Sequence, residues 1–123
     1  MTDYLTVAEV LAIHDDQIER YGGASGVRDR GLLEAAIFRP QCGYYADLIE
    51  EAAALWESLS QNHPFIDGNK RTAFAAMYTF LAINEVRLTA SAGETEAFVL
   101  NLYVVGSFEF EHLCQWLQRN ISF

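Results

Sequence analysis

Residues 63–71 read HPFIDGNKR and run straight into TAFAAMYTFLAIN, an almost unbroken apolar stretch. The loop holds a candidate general base (His63), a hard carboxylate (Asp67), a Gly-Asn pair (Gly68, Asn69) and two cations (Lys70, Arg71). A histidine beside phosphates can take the proton of an incoming hydroxyl. One carboxylate suits Mg2+, which completes its shell with phosphate and water oxygens. Lys and Arg in the first turn of a helix oppose its dipole, so NKRT is misplaced unless an anion sits in front of it. The free N–H groups of a helix N-terminus bind phosphates, and a glycine lets backbone approach them closely. With a phosphate present, Arg71 can fork its oxygens while Lys70 supplies a mobile point charge. Each piece alone is ordinary: HPF as a turn with a buried ring, DGN as a turn signal, KR as a solvated pair. Joined in one loop ahead of a buried helix, they point to an anionic ligand and to chemistry that rests on positioning and charge stabilisation.

The elements that must hold this loop read as helices. Thr6 with Glu9 forms a capping box ahead of a first helix, with Val7, Val10, Leu11, Ile13 and Ile18 as its apolar face and Gly22 as its stop. A glycine-rich loop, GGASGV, leads to Asp29, the cap of a second helix through Phe38, which Pro40 ends. PQCGYYAD is turn-like, and a short hairpin or flap is expected over Cys42–Asp47 before the third helix. Asp47 with Glu50 opens that helix, with Leu48, Ala52, Leu55, Trp56 and Leu59 inward as far as Asn62. Asn69 caps the fourth helix, Lys70 to Asn84, and Val86–Thr89 forms an extended link. Ser91 with Glu94 opens a fifth, and a sixth follows Ser107 with Leu113, Trp116 and Leu117 inward. Helices four and five are apolar on most faces, which predicts that both are central. The sum is a mainly α, compact single domain spanning 1–123.

The chain of 123 residues is 51% hydrophobic, which is too much for disorder and enough for a real core. Its longest apolar runs fall short of the ~20 residues that span a bilayer, and no secretory signal follows Met1, so a cytoplasmic protein is expected. A net charge of −9 argues against a surface that neutralises nucleic-acid phosphates, and the Lys70–Arg71 pair stands out against it. Cys42 and Cys114 lack CxxC spacing and read as free thiols. His14-Asp15-Asp16 is not read as a metal site, because adjacent helical residues diverge; a polar interaction near the helix end is expected for His14, and His112 reads as solvated or locally satisfied.

HPFIDGNKR resembles the signature of the Fic/Doc superfamily, H-P-F-x-(D/E)-G-N-x-R, with every constrained position filled. The chain's size and its upstream IHDDQIERYGGASGVRDRGLLEAAIFRPQ resemble the short Doc (death-on-curing) toxin-like branch. The resemblance implies a helical Fic fold whose loop transfers part of a nucleotide to a protein hydroxyl. By that likeness His63 is the base, Asp67 holds Mg2+, Gly68 and Asn69 form an anion hole, and Arg71 contacts phosphates. Adenylylating members carry glycine where this chain has Lys70. Lysine there is typical of the Doc-type branch, which transfers the terminal phosphate of ATP. The toxin that gives the branch its name lacks the Pro and Gly retained here as Pro64 and Gly68, which keeps adenylylation (AMP transfer) as the alternative.

The likeness further implies a toxin that modifies a Ser or Thr of elongation factor Tu and is controlled by an antitoxin in trans. No glutamate in this chain is followed by Gly or Asn, so the inhibitory pattern S/T-x-x-x-E-G/N of many relatives is absent. The aromatic Cys42–Asp47 segment could dock a target as an added strand or merely cap the core. From a different class comes a third expectation, a catalytically silent Fic-fold binding module.

Overall fold

Most helices of the computed structural model, which describes all 123 residues, start where a side chain meets free backbone N–H groups. In α1 (Val7–Tyr21) the Thr6 hydroxyl accepts from the Glu9 N–H while the Glu9 carboxylate accepts from the Thr6 N–H. Ser91 and Glu94 repeat that reciprocal pair ahead of α5 (Ala92–Val105). Asp29 accepts from Leu32 to start α2 (Arg30–Phe38), and Asp47 accepts from Glu50 to start α3 (Leu48–Gln61). α4 spans Asn69–Ile83 and α6 spans Phe110–Arg119. α6 begins later than Ser107 suggests, because Phe108 is pulled into the core and is 2% exposed. The first N–H of α6, at Phe110, donates to the Glu57 carboxylate at 2.7 Å.

The centre of the molecule is α3, which packs against α4 and α6. Ala52, Ala53 and Ala54 on α3 and Ala73 and Ala76 on α4 are fully buried, and such short side chains let two helix axes approach closely. Trp56, Leu55 and Leu59 fill the space beside them. An aromatic group crosses four helices around this point. The Trp56 ring meets Phe74 of α4 at 5.6 Å and Trp116 of α6 at 5.8 Å, and Trp116 stacks on Phe98 of α5 at 4.7 Å.

Three expectations need correction. α5 is not central: of its residues only Leu102 is buried, while Leu100, Val104 and Val105 face outward and are at least 59% exposed. A helix that is apolar on most faces gives little sequence signal of which face turns inward, and α3 with α4 already forms the interior. Over Cys42–Asp47 there is no hairpin. A 3-10 turn, Arg39–Gln41, is followed by bends, because Arg39 draws the segment onto α3. Its guanidinium donates to the Tyr45 hydroxyl at 2.6 Å, Ser58 at 2.6 Å and Glu57 at 2.7 Å. The third correction, at Asn69, belongs to the site.

The extended link after α4 is present as β1 (Arg87–Leu88). It pairs antiparallel with β2 (Ile121–Ser122), Arg87 opposite Ser122 and Leu88 opposite Ile121. Cys42 is exposed and Cys114 buried, both unpaired, and burial pushes the Cys114 thiol pKa up. No helix is long and apolar enough to cross a membrane.

Candidate active site

The turn from α3 into α4 is held at every step by groups distant in sequence. Arg28 donates to the carbonyls of His63 at 2.7 Å and Asn62 at 3.0 Å, a cation against the negative end of α3. His63 itself takes a left-handed backbone, φ 48. The Pro64 carbonyl accepts from the N–H groups of Arg28 and Asp29, and the Ile66 N–H donates to the Gly26 carbonyl at 3.1 Å. Val27 and Phe65 thus form an isolated antiparallel bridge. The glycine-rich segment after α1 therefore lines the loop, whereas Cys42–Asp47 makes no hydrogen bond to it.

Beneath the loop lies His14 of α1, 2% exposed. Its imidazole stacks on the buried Phe65 ring with centroids 3.8 Å apart and planes 4° from parallel. Its Nε2 donates to the Asp67 carbonyl at 2.8 Å; a carbonyl only accepts, so the proton is on Nε2.

Asn69 does not cap α4. Its Oδ1 accepts from the Phe65 N–H and its Nδ2 donates to the Phe65 carbonyl, both at 2.9 Å. With that amide spent on the loop, the cap position falls to Gly68, at φ 73, and no side chain bonds the first N–H groups of α4. The first bonded one is Thr72, to the Gly68 carbonyl at 2.9 Å. A Cβ on Gly68 would stand 3.1 Å from Ile18 Cδ1 and 3.3 Å from Arg71, in a backbone region costly for any L-residue. Gly23, at φ 116, is under the same constraint, because its Cβ would fall 2.7 Å from the Asp67 carboxylate.

Asp67 accepts from the Gly68 N–H at 2.8 Å through Oδ1 and from the Ala24 N–H at 3.2 Å through Oδ2. Those two bonds, then the nearby Arg71 charge, hold its carboxyl pKa below the ordinary 3.8. Arg71 donates to the Gly22 carbonyl at 2.9 Å, tying α4 to the end of α1. Lys70 is exposed, and its ammonium lies 4.0 Å above the centre of the Tyr103 ring. The His63 imidazole is exposed and free of hydrogen bonds to the protein.

His63, Ile66, Asp67, Gly68, Asn69, Lys70 and Arg71 together line one open cavity of about 380 Å3. All six residues singled out in the sequence are thus brought to one place. No three His, Cys, Asp or Glu side chains stand together as a ready-made metal cage. An exposed, ionised Asp67 at the cavity wall fits Mg2+ of the other kind, held by one carboxylate and otherwise by substrate and water oxygens.

His14, Arg28 and Tyr103 hold the site from outside the HPFIDGNKR stretch. His14 had a usable signal, since it shares a helical face with the apolar Leu11 and Ile18. Arg28 and Tyr103 had none, because their partners lie more than thirty positions away.

Comparison with known proteins agrees with the geometry. A protein named Toxin Doc from Mycolicibacterium smegmatis is 48% identical over 95 residues, covering 73% of this chain and 71% of the relative. A protein named Protein kinase doc from Escherichia phage P1 is 37% identical over 89 residues, covering 69% and 71%. Residues 4–81 match the Fic/DOC family, from α1 through nearly all of α4, and the chain belongs to that family.

Proposed function

We propose that this chain is a Doc-like toxin that transfers the γ-phosphate of ATP to a Ser or Thr hydroxyl of a protein, of the elongation factor Tu type. The observation that carries this reading is the cavity in front of α4. There a helix N-terminus without a side-chain cap, two cations, an ionised carboxylate and an unengaged imidazole converge. The name of one relative, a toxin, favours the toxin role, and that of the other, a protein kinase, favours phosphate transfer.

In this reading the first N–H groups of α4, at Asn69 and Lys70, and the Arg71 guanidinium bind phosphate oxygens. His63 takes the proton of the incoming hydroxyl, whose oxygen forms the new bond to the γ-phosphorus. The bond from that phosphorus to the β–γ bridging oxygen breaks, and ADP leaves. Asp67 would hold Mg2+, which when bound supplies charge neutralisation between the phosphates. Lys70, in place of a small residue, favours this outcome. Retention of Pro64 and Gly68 supports the second reading, in which the hydroxyl attacks the α-phosphorus and pyrophosphate leaves. The whole of 1–123 is read as one such domain, acting in the cytoplasm. Without an inhibitory glutamate motif of its own, it would be restrained by an antitoxin protein in trans. Neither nucleic acid nor membrane is a partner.

The test uses ATP labelled at the α or the γ phosphate, incubated with this protein and a translating extract. Label on a protein from γ alone supports phosphate transfer. Label from α overturns it in favour of adenylylation, and no transfer from either favours a silent binding module. His63→Ala is expected to abolish transfer; an active variant would remove His63 from the role of base.

A further inference from the structure

Lys70 makes no salt bridge, and its ammonium lies over an aromatic face on another element. Its Nζ stands 4.0 Å from the Tyr103 ring centre, well inside the ~6 Å at which a cation gains from a ring quadrupole. The ring is itself fixed from two sides. The Tyr103 hydroxyl is hydrogen-bonded to Ser60 of α3, and its other neighbour is Phe108, stacked at 4.5 Å with planes 6° from parallel. Ser60 and Phe108 are 1% and 2% exposed, so the ring is anchored in the core while its face meets the ammonium of Lys70, a residue that lines the cavity. A lysine side chain has four rotatable carbons and loses much freedom when it must meet one phosphate. A fixed ring beneath it removes part of that cost beforehand.

We propose that Tyr103 is a positioning residue for Lys70: its ring holds the ammonium at the α5 side of the cavity, ready for a nucleotide phosphate. The phosphate part of this rests on the reading of the cavity given above. α5 thereby reaches the site through Lys70 alone, since none of its residues lines the cavity. Residue 103 lies outside residues 4–81, the stretch that matches the family.

Two measurements separate this inference from the reading on which it rests. The first needs no nucleotide. Ring current from Tyr103 shifts the Lys70 ε-methylene NMR signals upfield in the wild type. The shift persists in Tyr103→Phe, which keeps the face, and vanishes in Tyr103→Leu. Unshifted Lys70 signals in folded wild type overturn the inference whatever the enzyme does. The second is ATP binding by calorimetry across a double-mutant cycle. Tyr103→Leu is expected to weaken binding about 3- to 10-fold, the range a cation–π contact supplies. Tyr103→Phe stays within about 2-fold of wild type. In a Lys70→Met background the same Tyr103→Leu change has no further effect. Equal losses in both backgrounds would show a merely structural role and refute the positioning. If wild type binds no ATP, the cavity reading falls, and with it the phosphate part of this inference. Binding without transfer refutes the reaction alone and leaves the cycle decisive.

Discussion

His14 supports the loop from beneath, and its contribution can be divided. Replacing it with Ala removes a fully buried ring, worth about 2 kcal/mol at this size. The face-to-face stack on Phe65 adds about 1 kcal/mol, and the bond to the Asp67 carbonyl about 1 kcal/mol. His14→Ala should therefore lose about 4 kcal/mol, a large share of a domain's ~5–15 kcal/mol. Two partial replacements separate the parts. His14→Phe keeps ring and stack and loses the bond, for about 1 kcal/mol. His14→Gln keeps a donor near Nε2 and loses ring and stack, for about 3 kcal/mol. The assay is urea unfolding at fixed temperature, with the midpoints compared at constant slope. The expected order of loss is Ala, then Gln, then Phe. If Ala cost less than 1 kcal/mol, or Phe cost as much as Ala, His14 would not be the support described here.

Three other outcomes follow from the loop. Asn69→Ala strands both the N–H and the carbonyl of Phe65 and should cost about 2 kcal/mol in the same assay; a cost near zero would return Asn69 to solvent. Gly68→Ala forces a side chain into the left-handed region against Ile18 and should cost about 1–2 kcal/mol, with a neutral result refuting the strain. Asp67 titrates below 3.8 in the folded chain, so its carboxylate favours folding fully above the unfolded value of about 4. That contribution is lost as pH falls through the lower folded value. Stability of Asp67→Asn should accordingly fall less steeply than wild type below about pH 4, and identical slopes would remove Asp67 as the cause.

Where a signal was local, the sequence carried it. The capping pairs Thr6–Glu9 and Ser91–Glu94, and the caps Asp29 and Asp47, sit three residues from their partners, and all four stand where the pattern places them. The loop residues His63 to Arg71 were legible for the same reason, being contiguous. What the sequence hid was long-range choice. Asn69 could cap its own helix or bond back to Phe65, and only a loop already pinned by Arg28 and His14 selects the second. The position of α5 was hidden in another way. An apolar helix of uniform pattern can lie inside or outside, and Leu100, Val104 and Val105 ended outside because α3 and α4 bury each other.

The aromatic group around Trp56 gives the protein an internal optical gauge. The chain has only two tryptophans, and their rings lie 5.8 Å apart at 61°, close enough for their near-ultraviolet transitions to couple. One of them, Trp116, is stacked on Phe98, so its surroundings change whenever α5 lifts or tilts. Near-ultraviolet circular dichroism, which follows fixed side-chain packing, then reads the seating of the very helix that carries Tyr103. Motion of the helix beneath Lys70 can thus be followed in the unlabelled, unmodified chain.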